Sequence, residues 1–208
     1  MSEIKTVGVV GAGTMGSGIA QVFARAGFNV VLCDVEMAQL ERAVLRIRAN
    51  LGREAAKGKI SELEIEAALE RIKATVEREA LAGLDFAIEA ASERFEVKAE
   101  IFRALDGLTA ESAVLATNTS SISIARLAAE TMRPEKVIGM HFFNPVPVMA
   151  LVEVVRGPKT SDATFETVRA LSVALGKTPV EVDVYKRQGC DSRFQYVFHF
   201  HHENWSAD

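Results

Sequence analysis

Short apolar runs rich in β-branched residues alternate with longer stretches of helical periodicity along most of this chain. Ile4–Val10 is a compact apolar run that stops at Gly11, the pattern of a strand buried on both faces. Thr14–Ala26 then carries Ile19, Val22, Phe23 and Ala26 at helical spacing, and Gly27 is placed to close that helix. Asn29–Cys33 predicts a second buried strand, and Val35 to about Lys57 a long charged helix. Ser61 with Glu64 forms a capping box that opens a helix reaching about Ile72. Further strands are predicted over Leu84–Ala90, Ala113–Ala116, Lys136–His141, Leu151–Val155 and Thr178–Val182. Helices are predicted over Glu96–Asp106, stopped by Gly107, over Ser123–Glu130, and over Ala163–Ala174, ended by Gly176. No internal repeat or low-complexity linker interrupts the series.

Such alternation builds a mostly parallel sheet with helices on both faces, an α/β fold of the doubly wound, Rossmann type. Ligands of such sheets sit beyond the carboxyl ends of the strands, at the switch point, so functional residues should directly follow strands. The length of 208 residues predicts one to two domains. With 49% hydrophobic and 25% charged residues, disorder and collagen-like structure are excluded. A net charge of −4 gives no general attraction to nucleic acid or an anionic membrane. Cys33 and Cys190 are too few for a disulfide framework. No apolar run approaches the ~18 residues of a membrane span, and the N-terminus shows no signal-peptide cleavage site. The expectation is a reduced, cytoplasmic protein.

Gly11-Ala12-Gly13-Thr14-Met15-Gly16 is a G-x-G-x-x-G segment between a predicted strand and a predicted helix, and Asp34 ends the next strand 21 residues after Gly13. That context is the fingerprint of a dinucleotide site. Gly11 permits the tight turn, Gly13 lets a pyrophosphate approach the backbone, and Gly16 allows close helix packing, with the phosphates at the positive helix end. Asp34 would accept from the adenine-ribose hydroxyls and repel a 2′-phosphate, and no arginine follows it immediately, so NAD is preferred to NADP. FAD uses the same fingerprint. The alternative is a glycine turn beside a solvated aspartate.

His141 ends a predicted strand and is followed by Phe142-Phe143-Asn144-Pro145-Val146-Pro147, a loop stiffened by two prolines. Glu153 lies nine residues past Asn144 between Val152 and Val154, a carboxylate on an apolar strand that needs a partner. A histidine held by a glutamate suits general acid–base work near neutral pH. An edge-strand acid facing water is the alternative for Glu153, and a structural histidine for His141. Asn118-Thr119-Ser120-Ser121 also follows a predicted strand, and either binds a ligand oxygen or forms a turn and helix cap.

GAGTMGSGIAQVFARAG, the Asp34 strand end, NTSSISI and above all HFFNPVPVMALVEVV resemble the L-3-hydroxyacyl-CoA dehydrogenase family, in its short-chain bacterial 3-hydroxybutyryl-CoA branch. The resemblance covers about residues 3–182, nearly the whole NAD-binding domain of that family. It implies exchange of a hydride between NAD and C3 of an L-3-hydroxyacyl-CoA, in fatty-acid or butanoate metabolism. His141 is then the base for the hydroxyl proton, oriented by Glu153, while Ser120 and Asn144 bind the reacting oxygen and the cofactor. Met15 and Asp34 belong to the implied cofactor site, with Glu93 and Lys98 near the nicotinamide and its ribose. Lys57 and Lys59 are implied to meet the CoA phosphates. A helix-start acid, a surface lysine and a solvated helix end are the respective alternatives for Glu93, Lys98 and the Lys57–Lys59 pair. A dinucleotide-binding module without turnover, or a dehydrogenase of another hydroxy acid, stays open beside the family activity.

The pattern breaks near Asp183. The final 24 residues hold Tyr185, Phe194, Tyr196, Phe198, Phe200 and Trp205, 6 of the 14 aromatics, and His199, His201 and His202, 3 of the 4 histidines. The family continues with a Pro-Gly turn, a substrate-contacting asparagine and an all-helical domain that forms most of a homodimer interface; none of that pattern follows here. Asp183–Gln188 (DVYKRQ) resembles one frame of a transposon sequencing adapter. The expectation is a Rossmann domain over 1–182, a non-native tail over 183–208, no helical domain, and weak or absent turnover. His199, His201, His202 and Cys190 lack the paired spacing of a metal site, so no metal is expected. Tyr196–Phe200 is an apolar, β-prone run.

Overall fold

Thr6–Val10 (β1) lies at the centre of one eight-stranded sheet. Its Val7 and Val9 are buried on one face, while a Cβ at Gly8 would meet Leu81 at 2.9 Å on the other. In the computed structural model, residues 4–183 are described, Asp183 by its backbone alone. Cys190, His199, His201, His202 and the Tyr196–Phe200 run lie outside the described residues.

The other strands are Asn29–Cys33 (β2), Ile72–Thr75 (β3), Phe86–Glu89 (β4), Val114–Thr117 (β5), Val137–Phe142 (β6), Leu151–Arg156 (β7) and Thr178–Asp183 (β8). Their order across the sheet is β3-β2-β1-β4-β5-β6-β7-β8. The first six strands of that order run parallel. β7 then runs antiparallel to β6, and β8 pairs parallel with β7. This is the doubly wound order expected, with a reversed pair added at one edge. The chain moves from β1 to one side for β2 and β3, then to the other for β4, so the crevice opens above the carboxyl ends of β1 and β4.

The helices are Thr14–Arg25 (α1), Met37–Ala55 (α2), Glu62–Glu70 (α3), Phe95–Leu108 (α4), Ile124–Ala128 (α5) and Asp162–Ala174 (α6). They bury two separate cores. Ile19 and Phe23 of α1, Leu40 and Ile47 of α2, and Val168 of α6 pack with Val7, Val9, Val30 and Leu32 on one face. Phe102 and Leu105 of α4 and Leu127 of α5 pack with Val31, Cys33 and Leu115 on the other. Strands buried on both faces explain the near-continuous apolar runs in the sequence.

Several boundaries differ from expectation by one or two residues, and three of the differences have a plain physical cause. The capped helix ends at Glu70 and Ile72 opens β3, an edge strand with only partial burial, where Lys73 breaks any apolar run. Gly107 does not stop α4; it sits in the last turn, and Thr109 ends the helix by donating from its hydroxyl to the Leu105 carbonyl at 2.7 Å. Val35 is exposed ahead of α2, where the Asp34 carboxylate accepts from the Glu36 amide at 3.1 Å and holds a turn. Among the described residues, no helix is long and apolar enough to cross a membrane.

The capping box is formed as expected: the Ser61 amide donates to Glu64 Oε2 at 2.7 Å, and the Glu64 amide donates to Ser61 Oγ at 3.3 Å. The Ser61 amide and hydroxyl hold the Glu64 carboxyl below its ordinary range. A depressed carboxylate adds stability that is complete above the unfolded-state value and fades as pH falls through the folded one. Ser61→Ala should lower Tm by roughly 3 °C at pH 7. The deficit should shrink in acid below about pH 4. Thermal melts across pH check both.

Candidate active site

The cofactor cradle begins where β1 ends. Gly11 adopts φ +102°, and a Cβ there would lie 2.8 Å from the Ala90 carbonyl carbon and oxygen. A Cβ at Gly16 would lie 1.7 Å from the Gly11 carbonyl oxygen, so α1 starts in direct contact with the turn. Gly13 is different: a Cβ there would meet nothing within 4 Å, and its backbone faces open space at the start of α1. No protein contact requires Gly13, the second glycine of the motif, to be bare, but a ligand lying on it would. Beside it opens a cavity of about 640 Å³ lined by Gly11, Thr14, Met15, Asp34, Val76 and Ile101. Asp34 Oδ2 accepts from the Ala12 amide at 2.6 Å, which fixes the carboxylate at the cavity wall. The donor set and the uncovered helix end fit the pyrophosphate and ribose of a dinucleotide.

The second cluster sits at the carboxyl ends of β5 and β6. His141 and Glu153 are direct partners in the β6–β7 register, and His141 Nδ1 lies 2.8 Å from Glu153 Oε2. A carboxylate only accepts, so Nδ1 carries the hydrogen and Nε2 presents its lone pair. Ser120 Oγ lies 3.1 Å from Nε2 and donates to it in this tautomer. Phe143 packs its ring 4.9 Å from the imidazole. Ser120 itself is held by Glu93, whose Oε1 accepts from Thr119 Oγ1 at 2.5 Å, the Ser120 amide at 2.9 Å, the Ser121 amide at 3.1 Å and Ser121 Oγ at 3.0 Å. Partial burial pushes the Glu93 carboxyl up, but these donors and Lys98 outweigh it and hold it below its ordinary range.

Asn118 and Thr119 serve the turn rather than open space. Asn118 Oδ1 accepts from the Phe142 amide at 2.8 Å, tying the ends of β5 and β6 together, and Thr119 Oγ1 accepts from the Ile122 amide at 2.9 Å. Asn144 is exposed three residues beyond His141 and makes no side-chain hydrogen bond to another described residue. Lys57 and Lys59 are exposed just past the end of α2 and do not line the cavity.

Two residues of this region escaped sequence reading. Glu89 ends β4 fully buried and accepts from Lys98 Nζ at 2.8 and 2.9 Å, and Lys98 is itself buried, which removes its reading as a surface lysine. An acid inside the apolar segment Phe86–Ala90 was the available signal. Lys177 donates to the carbonyls of Val146 at 2.6 Å and Met149 at 2.7 Å, anchoring the proline-rich loop. Burial, with Arg25 nearby, pushes the Lys177 ammonium below its ordinary value. No local pattern marks it. The same loop is seated on α1, where a Cβ at Gly18 would lie 2.8 Å from Val146 Cβ.

Residues 6–185 match the family model described as 3-hydroxyacyl-CoA dehydrogenase, NAD binding domain. The chain belongs to this family. It is 48% identical over 181 residues to a probable 3-hydroxybutyryl-CoA dehydrogenase of Bacillus subtilis, covering 87% of this chain and 63% of that one. It is 46% identical over 180 residues to the 3-hydroxyadipyl-CoA dehydrogenase of Escherichia coli, covering 86% of this chain and 38% of the other. The crystal structure of (S)-3-hydroxybutyryl-CoA dehydrogenase from Ralstonia eutropha superposes with a TM-score of 0.85 at 49% identity, over 87% of this chain and 64% of that one. The chain thus spans about 63% of the Bacillus relative's length. As the NAD-binding domain of the family, it takes NAD as its cofactor, in agreement with the cradle around Gly13.

The two glycines should separate ligand binding from folding. Gly13→Ala should cost under about 1 kcal/mol of stability and lower NAD affinity at least about tenfold. Gly16→Ala should cost at least about 3 kcal/mol through its backbone collision. Denaturant unfolding and calorimetric titration with NAD measure the pair.

Proposed function

We propose that this chain carries the reaction centre of an NAD-dependent L-3-hydroxyacyl-CoA dehydrogenase. The observation that carries the reading is the Ser120–His141–Glu153 chain at the carboxyl end of β6, in which the imidazole Nε2 presents its lone pair to a hydroxyl. NAD, when bound, accepts or returns the hydride. His141 Nε2 takes the proton from the C3 hydroxyl as that hydride leaves, and returns it in the reductive direction. Glu153 keeps Nδ1 protonated and stabilises the imidazolium that forms. Ser120 and Asn144 donate to the reacting oxygen, whose negative charge grows in the transition state. Met15, Thr14 and the three glycines hold the dinucleotide at α1, Asp34 accepts from its adenine ribose, and Glu93 and Lys98 stand near its nicotinamide end.

Lys57 and Lys59 supply charge to the phosphates of CoA. They lie within a turn of Glu54, which pairs with Arg25 near Lys177 and so shares a side of the sheet with the catalytic loop. The relatives named for hydroxybutyryl and hydroxyadipyl substrates match this chain almost equally well, so the acyl group is chosen elsewhere than in this domain's shared residues. We place the enzyme in the cytoplasm, where the free Cys33 thiol stays reduced.

Acetoacetyl-CoA should drive a weak oxidation of NADH by this chain, in keeping with the low turnover expected of it. His141→Gln should slow it about 10²- to 10⁴-fold and Glu153→Gln at least about tenfold, both mainly in kcat. Lys57→Ala with Lys59→Ala should raise KM for acetoacetyl-CoA several-fold while leaving acetoacetyl-pantetheine unaffected. NADH binding without any transfer would mark a dinucleotide-binding module instead. Transfer that ignores the lysines would point to another hydroxy acid.

A further inference from the structure

At the carboxyl end of β4 a buried ion pair does no evident work for stability. Glu89 is fully buried and Lys98 nearly so. Glu89 has both oxygens satisfied, by Lys98 Nζ, by the Ala91 amide at 2.6 Å and by Thr117 Oγ1 at 2.6 Å. Burying such a pair costs desolvation that its attraction only about offsets, and an apolar pair would hold the fold as well. The ammonium has one further neighbour, Glu93 Oε2 at 3.3 Å. One cation therefore stands among two carboxylates. Glu89, closer and bidentate, balances most of the Lys98 charge, and the three groups together keep one net negative charge on the Glu93 side. Its side chain is 41% exposed.

That charge lies next to the cavity that the dinucleotide would occupy. The cavity lining passes from Gly13 and Thr14 to Ala90, Ala91 and Ser92, the residue before Glu93. From Glu93 the chain of contacts runs through the Ser120 amide to Ser120 Oγ and His141 Nε2. A ring that exchanges hydride with a carbon whose hydroxyl meets His141 must lie between them. The nicotinamide ring is cationic in NAD⁺ and neutral in NADH, so a fixed negative charge there favours only the oxidised form.

We propose that Glu89 is a positioning residue that sets the charge of the nicotinamide subsite: by cancelling Lys98 it leaves Glu93 as a net negative charge that favours NAD⁺ over NADH. The inference rests on the placement of the reacting ring beside His141 under the proposed function. It assigns the buried pair a role in redox preference, since the bias in affinity equals a bias in the potential of the bound cofactor.

The test is the ratio of dissociation constants, Kd(NAD⁺)/Kd(NADH), measured on the full chain by calorimetry at low salt. Glu93→Gln retains an acceptor for the four donors and removes the charge; the ratio should rise about fivefold. Glu89→Gln leaves Lys98 to neutralise Glu93 and should raise it equally. Glu89→Gln combined with Lys98→Met removes both cancelling charges, and the ratio should return to the wild-type value whatever the change in absolute affinity. If Glu89→Gln alone does not fold, Glu93→Gln and the double variant still decide. An unchanged ratio in Glu93→Gln, or a double variant that shifts as far as Glu93→Gln, overturns the inference while leaving the cofactor site standing. Failure of the wild-type chain to bind either cofactor overturns both.

Discussion

His141 and Glu153 face each other because β7 runs back along β6. In an antiparallel pair, directly opposed residues point to the same face with their Cβ atoms about 5 Å apart. That spacing is what lets an imidazole nitrogen and a carboxylate meet at 2.8 Å. A slip of one residue would turn Glu153 to the other face of the sheet. The buried residues Val152, Val154 and Val155 fix the register by packing, so the hydrophobic cores and the candidate acid–base pair depend on the same alignment.

The loop beyond β6 is the second dependency. It is held at both ends of its short course, by Asn118 at the Phe142 amide and by the Lys177 ammonium at the Val146 and Met149 carbonyls. Between these, Val146 rests on the bare face of α1 at Gly18. The helix that starts in the glycine cradle therefore also supports the loop that carries Asn144. The cofactor cradle and the proposed substrate side of the site thus share α1 as a support, which would suit a reaction whose geometry must be held within fractions of an ångström.

Local patterns carried much of this. The glycine fingerprint, the strand end at Asp34 and the Ser61–Glu64 capping box are short-range devices, and each stands where its residues imply. The five strands buried on both faces, β1, β2, β4, β5 and β6, were legible from their apolar runs. The edge strand Ile72–Thr75 was not, because half-exposed residues with Lys73 among them give no apolar run. Gly107 misled because its weak helix preference yields to the packing of Leu105 and to the Thr109 hydroxyl bond. In the site, the pairing of Glu153 with His141 was inferred from the need of a buried acid for a partner, and the register supplied what spacing left open. Lys98 and Lys177 could not be read: whether a lysine is solvated or buried on a specific acceptor is decided by residues 9 to 31 positions away.

The pairing of imidazole and carboxylate is most directly read from the protonation of the two ring nitrogens. In ¹⁵N spectra of neutral His141, assigned by difference against His141→Gln, the account predicts a protonated Nδ1 and a bare Nε2, with that preference lost in Glu153→Gln. A protonated Nε2 with a bare Nδ1 in the wild-type protein would contradict it.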